Sequence, residues 1–244
     1  LRLIMYHGVV LINKPTGTPA RPLLNRMLRA LPKKQKAGWC GTLDPLATGM
    51  LPVCLGEATK TAPWIVSGQK KYTTEAQLGI TTDTGDADGN LTQEIPLNAM
   101  PSETAIQNVL KDFVGEIEQI PPMVSAIKHK GKPLYQWARE GATIERKPRA
   151  CTIASIRLIQ VDAKQQRLTL SVVCSKGTYI RTLVEAIGAR LGCGAHVARL
   201  HRDWVAPFQD HPMVAPDDWL GHDNPASFIL TPQAALPQLP CITL

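Results

Sequence analysis

The chain has 244 residues, 44% of them hydrophobic, and carries a formal net charge of +7 from 27 Lys and Arg against 20 Asp and Glu. That length can bury a substantial core, as one large mixed domain or as one domain with a small appendage. No stretch approaches the length of uninterrupted apolar sequence that a membrane-spanning helix needs, and the start LRLIMYHGVVLI lacks the charged front and small-residue cleavage site of a secretory signal. A cytoplasmic protein away from membranes is the expectation.

In chain order, VVLI (9–12) reads as a short buried strand and Asn13-Lys14-Pro15-Thr16-Gly17 as the turn that stops it. Leu24, Met27, Leu28 and Leu31 fall on one helical face, in a helix ended by Pro32, with Arg26 and Arg29 on its opposite side. YTTEAQL (72–78) alternates, with Tyr72, Thr74, Ala76 and Leu78 facing inward. PSETAIQNVLKDFVG (101–115) predicts a helix capped by Ser102, striped by Ile106, Val109, Leu110 and Phe113, and ended by Gly115. RLTLSVVC (167–174) alternates again, and SKGT turns the chain into a helix with the stripe Ile180, Leu183, Val184 and Ile187. Arg181 stands in the first turn of that helix, able to reach into a cleft. After Pro207 the sequence loosens into Pro-rich, polar segments. Strands and helices alternate without a regular βα repeat, which points to an α+β fold with a mixed sheet rather than a doubly wound one.

Charge is unevenly spread. Residues 1–40 hold Arg2, Lys14, Arg21, Arg26, Arg29, Lys33, Lys34 and Lys36 with no acid, and a second block runs Lys128, Lys130, Lys132, Arg139, Arg146, Lys147, Arg149, diluted by Glu140 and Glu145. Two such blocks point to a polyanion, nucleic acid foremost. Cys40, Cys54, Cys151, Cys174, Cys193 and Cys241 are scattered, without a CxxC pair, and read as reduced small hydrophobes. DTGDADG (83–89) fails the calcium-loop pattern, since alignment on Gly89 puts Thr84 and Ile95 where two ligands belong, and it reads as an acidic turn. His196 reads as structurally satisfied. No metal and no cofactor are expected.

GTLDPLATG (41–49) carries one acid, Asp44, beside Pro45. Asp-Pro commonly opens a turn, yet Leu43, Leu46 and the run MLPVCL give this acid apolar surroundings. A carboxylate held there ionised needs a cationic partner, for which Arg181 and Lys14 are the candidates. Paired and aimed, it is a usable nucleophile.

GTLDPLATGMLPVCLGEATK (41–60), KKYTTEAQLGITTDTGDADG (70–89), PPMVSAIKHKGKPLYQWAREG (121–141) and CSKGTYIRTLVEAIGARLGCGAH (174–196) resemble the bacterial TruB-type tRNA pseudouridine-55 synthases. The resemblance implies a pseudouridine synthase fold, a mixed, mostly antiparallel central sheet flanked by helices with the catalytic cleft along the sheet. It implies a catalytic domain over 1–230 and a tail, 231–244, where a PUA domain is missing or truncated. Asp44 matches the aspartate that attacks the target nucleoside, at C1′ or C6, or that promotes a glycal. Tyr72 matches the tyrosine stacked on the flipped uracil, Arg181 the arginine paired with the aspartate, Leu200 an apolar pocket residue, and Lys14 the lysine of the KPxG motif. Tyr179 joins them on the substrate side. The implied reaction frees uracil from C1′ and rejoins it through C5, on the T-arm stem-loop of tRNA, by a monomer. The lysine-rich stretch 124–149 matches a loop inserted into the RNA.

The chain departs from that family's pattern. Gly38-Trp39-Cys40-Gly41 stands where Gly-His-Thr-Gly is usual, and Trp39 takes the place of a histidine that packs on flipped-out T-loop bases. TPARP follows KPxG, adding Pro19, Arg21 and Pro22 where an RNA-facing helix begins. The alternatives are a non-catalytic RNA-binding or RNA-folding protein on the same scaffold, against which Asp44, Tyr72 and Arg181 argue, and a synthase acting on another RNA.

Overall fold

The computed structural model describes residues 5–235. Its strands are β1 Gly8–Lys14, β2 Ala37–Trp39, β3 Thr48–Leu55, β4 Lys70–Leu78, β5 Ile80–Thr82, β6 Leu91–Glu94, β7 Gly115–Gln119, β8 Lys128–His129, β9 Lys132–Pro133, β10 Arg149–Asp162, β11 Arg167–Cys174 and β12 Ala195–Val205. Its α-helices are α1 Ala20–Leu28, α2 Ala62–Ser67, α3 Glu103–Lys111, α4 Leu134–Arg139, α5 Ile180–Arg190, α6 Pro216–Gly221 and α7 Pro232–Ala235. Two compact units form, one from the residues up to Lys71 with those from His201 onward, the other from Tyr72–Leu200. Of the tail expected from 231, residues 236–244 lie outside the described residues, as does Cys241.

In the first unit β1 runs antiparallel to β3, from Gly8 opposite Leu55 to Lys14 opposite Gly49. β2 is antiparallel to β3, and β12 joins it in parallel through His201 opposite Thr48 and Arg202 opposite Gly49. Val9, Leu11, Met50, Cys54, Ile65, Val205 and Phe208 pack as its core. The strand expected over 9–12 extends to Lys14, because pairing with β3 continues that far. α1 begins at Ala20, behind an extended Pro19, and buries Leu23, Leu24 and Met27. It ends at Leu28, short of Pro32, and its last turn tightens into i to i−3 bonds from Arg29, Ala30 and Leu31. Leu31 is buried beyond the helix, whereas Leu28 is only half-buried.

The loosened sequence after Pro207 is also packed. Trp219 in α6 is buried and donates its Nε1–H to the Met27 carbonyl at 3.2 Å. Val9 and Leu230 exchange backbone hydrogen bonds, both 2.8 Å. These elements are too short for periodicity to announce them.

In the second unit β10 pairs antiparallel with both β11 and β7. The strand order from β12 is β4, β11, β10, β7, with β5–β6 and β8–β9 as separate hairpins. β4 alternates as expected and buries Tyr72, Thr74, Ala76 and Leu78, and β11 buries Leu168, Leu170, Val172 and Cys174. Ser102 caps α3 by accepting from Ala105 N at 3.2 Å. α3 stops at Lys111, and Gly115, at φ +104°, instead opens β7. α5 buries the expected stripe, Ile180, Leu183, Val184 and Ile187. The described strand pairings are mostly antiparallel, with β12 parallel to β3, the α+β mixed sheet that the element order predicts. No helix among the described residues is long and apolar enough to cross a membrane.

Candidate active site

Asp44 occupies the first position of a turn closed by Ala47 N–H donating to its carbonyl at 3.1 Å, with Pro45 second, where a fixed φ suits a turn. The carboxylate therefore stands on a turn, as Asp-Pro suggests, yet Leu43 and Ala47 on either side are buried and fix it to the core. Lys14, fully buried at the end of β1, donates its ammonium to the carbonyls of Pro45 at 3.0 Å and Pro15 at 2.9 Å. Gly17 N–H donates to the same Pro45 carbonyl at 2.8 Å, and the Thr16 hydroxyl to Leu46 O at 2.9 Å. The KPTG segment thus holds the apex of the loop. Burying an ammonium costs several kcal/mol unless hydrogen bonds satisfy it, so Lys14 belongs to this scaffold and leaves the surface basic block in which the sequence reading counted it.

Arg202, 2% exposed in β12, holds the other end of the loop, donating Nε–H to Met50 O at 2.7 Å and Nη1–H to Thr42 O at 3.1 Å. Thr48 Oγ1 and His201 Nδ1 lie 2.8 Å apart beside it. Gly49 takes φ +98°, and a Cβ there would sit 2.3 Å from the Arg202 carbonyl, so the loop leaves through a position only glycine fills.

Trp39, half-buried at the end of β2, has the Arg21 guanidinium 6.0 Å from its ring centroid. The two departures from the family pattern meet, in a cation–π contact. Cys40 follows, with its Sγ 3.3 Å from Cys54 Sγ and both fully buried. The hydrogen bond between them, together with burial, raises the Cys40 thiol's pKa, and the same bond lowers that of Cys54 against the opposing effect of burial. The five described cysteines are free thiols.

In the second unit Tyr72, on β4, and Leu200, on β12, are buried. Thr74 Oγ1 donates to Arg199 O at 2.9 Å, fastening the two strands beside them. Arg181, 3% exposed at the start of α5, donates Nη1–H to Thr84 O and Nη2–H to Val124 O, both at 2.7 Å, and its Nε lies 3.5 Å from Asp86 Oδ2. Asp86 in turn accepts from Thr84 Oγ1 at 2.6 Å and from Asp88 N at 3.2 Å. DTGDADG is therefore the seat of Arg181, a role that spacing could not announce because the partners lie 95 positions apart in the chain. Glu185 sits one helical turn on, against Gly85 at φ +73°, and burial raises its pKa, opposed by Arg181 and supported by Asp86. Tyr179 caps α5 through its backbone, with N–H to Gln119 Oε1 at 2.9 Å and its carbonyl accepting from Gln119 Nε2 at 3.2 Å. His196 is buried with Nδ1 3.0 Å from Ile80 O, the structural role expected of it. Among the described residues no three His, Cys, Asp or Glu are grouped to hold a metal ion.

The lysine-rich stretch forms the β8–β9 hairpin and α4, with Lys128, Lys130, Arg139, Lys147 and Arg149 exposed. Lys132 lies 4.2 Å from the Trp137 ring centroid and pairs with Glu140, and Arg139 lies 5.5 Å from the Tyr135 ring. In the N-terminal block Arg26 pairs with Asp217, a neutralising acid from far along the chain. Asp86, Arg202 and Gln119 are the site-supporting residues that sequence reasoning did not single out.

The family model described as TruB family pseudouridylate synthase (N terminal domain) matches residues 29–180, and that described as tRNA pseudouridylate synthase B C-terminal domain matches 181–221. The tRNA pseudouridine synthase B of Marinomonas sp. (strain MWYL1) is 49% identical over 212 residues, covering 87% of this chain and 68% of its own. That of Methylobacillus flagellatus is 45% identical over 239 residues, covering 97% and 78%. That of Idiomarina loihiensis is 48% identical over 207 residues, covering 85% of this chain and 65% of its own, so the chain spans roughly two thirds to three quarters of these relatives. A solved structure, the crystal structure of a Cbf5-Nop10-Gar1 complex, superposes with TM-score 0.70 at 27% identity, covering 94% of this chain and 61% of the other. The fold is that of the pseudouridine synthases, and the chain belongs to the TruB family of pseudouridylate synthases.

Proposed function

We propose that the chain isomerises uridine to pseudouridine at position 55 in the T loop of tRNA, as a cytoplasmic monomer that recognises the T-arm stem-loop. The carrying observation is the turn at half-buried Asp44, whose flanking backbone is held by buried Lys14 and Arg202. A nucleophile so fixed meets the requirement for attack from a defined direction. The relatives' name, tRNA pseudouridine synthase B, supplies the substrate class. A non-catalytic binding role is not favoured.

In this reading the target uridine is flipped from the folded loop, at a cost of a few kcal/mol, and stacking on Tyr72 with Leu200 offsets that cost. Asp44 is the nucleophile and Arg181 its cationic partner. The C1′–N1 bond breaks, the uracil turns, C1′–C5 forms, and the C5 hydrogen leaves to solvent while N1 takes up a proton. Trp39, Tyr179 and the exposed cations of 128–149 hold the RNA.

The test is a T-arm stem-loop carrying tritium at C5, with label released to water as the readout. Release by the wild type that Asp44→Asn abolishes supports the proposal. Binding without release overturns the reaction, and equal release by Asp44→Asn overturns the nucleophile.

A further inference from the structure

We infer that Arg202 is a positioning residue for Asp44, an inference that rests on the synthase reading above. Thr42 and Met50 bracket the turn, and a single guanidinium bonds both carbonyls, 3.1 Å at Nη1 and 2.7 Å at Nε. Its own backbone lies against the exit of the same loop, opposite Gly49, so closely that a Cβ at 49 would overlap the Arg202 carbonyl. The side chain and main chain of one residue therefore set the width of the loop's mouth, while Lys14 sets its apex.

Arg202 does more than satisfy buried acceptors. Thr42 is exposed, so water could serve its carbonyl without a guanidinium. A buried charge with two neutral acceptors is a costly way to make two hydrogen bonds, and a neutral amide would be cheaper. Nη2 is also buried and has no hydrogen-bond partner among the described residues. What arginine alone provides is a rigid planar fork spanning both stems. The loop then presents the Asp44 carboxylate in one geometry, with its ordering cost met before substrate arrives.

The experiment compares wild type with Arg202→Lys, which keeps the charge and loses the fork, and Arg202→Gln, which keeps one donor group and is used where the lysine variant does not fold. Single-turnover tritium release, stem-loop affinity, and hydrogen exchange of the 41–50 segment are measured on each. The expected result is a rate lowered about 10- to 100-fold, the effect of roughly an ångström's misplacement, with affinity within about twofold of wild type. Faster exchange of the Ala47 amide, whose acceptor is the Asp44 carbonyl, accompanies it. Unchanged rate and exchange in a folded variant overturn the inference. A loss of affinity equal to the loss of rate also overturns it. If the wild type itself releases no label, the synthase reading falls, and the exchange measurement still decides whether Arg202 orders the loop.

Discussion

Arg181 Nε stands 3.5 Å from Asp86 Oδ2, with 3% of one side chain and 7% of the other exposed, and this pair fixes the arginine in place. The guanidinium also donates to the carbonyls of Thr84 and Val124, so its plane is tied to two segments of chain, the 83–89 loop and Val124. Asp86→Ala removes a buried counter-charge from beside Arg181, and breaking such a pair costs about 3–5 kcal/mol. Urea unfolding of the variant checks it. Arg181→Lys keeps the charge but cannot reach all three partners, so its tritium release should fall further than its stability.

Glu185 gives the pH dependence an unusual sign. Burial raises its pKa above the ordinary 4.5, against the pull of Arg181 and with the push of Asp86. The folded protein then holds the Glu185 proton more tightly than the unfolded chain, so this group's contribution to stability falls as pH rises from 4.5 toward the raised value. Glu185→Gln removes that slope. The urea midpoint at pH 7, taken relative to that at pH 4, should therefore be higher in the variant than in wild type.

Lys14→Met keeps the buried volume and removes both bonds to Pro15 and Pro45. The Pro15 carbonyl loses this donor, at about 1–3 kcal/mol, while the Pro45 carbonyl keeps the Gly17 N–H, and no longer burying a charge partly offsets the loss. Activity should drop more steeply than stability, because the lost bond holds the residue next to Asp44. Parallel measurement of thermal midpoint and tritium release separates the two.

Trp39 is half-buried, with Arg21 near its ring. Trp39→Ala should weaken stem-loop binding by about 1–3 kcal/mol, the range for one base–aromatic stack, and leave the single-turnover rate at saturating RNA nearly unchanged. Titration with quenched and unlabelled stem-loops measures the affinity directly.

If the exposed cations of 128–149 and the first helix together neutralise about five phosphates, log K against log salt should have a slope of roughly −3.5 for single-stranded contacts. The pairing of Arg26 with Asp217 and of Lys132 with Glu140 makes those two the weakest contributors. Replacing Lys128 and Lys130 should therefore flatten the slope more than replacing Arg26 and Lys132.

Legibility in the sequence followed the length of the pattern. β4, β11 and α5 repeat their signals over two or more periods, and their buried faces were read correctly. α1 buries Leu24 and Met27 of the face its spacing predicts, with Leu31 just beyond it, while the tightened last turn leaves Leu28 half-buried and Leu23 joins the buried face. α6 and the strand-like contact at Leu230 are too brief to show a period, although Trp219 and Phe208 are fully buried there. At the proposed site, its own setting makes Asp44 a candidate and the resemblance singles it out. Asp86 and Arg202 could not be found that way, since what distinguishes them is a partner far along the chain and a burial that folding creates. The charge blocks misled in one respect: Lys14 is interior, and folding supplies acids that the linear sequence keeps distant.

Val124 opens the segment that carries the exposed lysines, and its carbonyl accepts from Arg181 Nη2 at 2.7 Å. A pull on that arm consequently arrives at the guanidinium through one hydrogen bond, with no side chain in between. In the proposed function, docking and chemistry share a joint there. Substitutions in the arm that never touch the reacting base should register in turnover as well as in affinity.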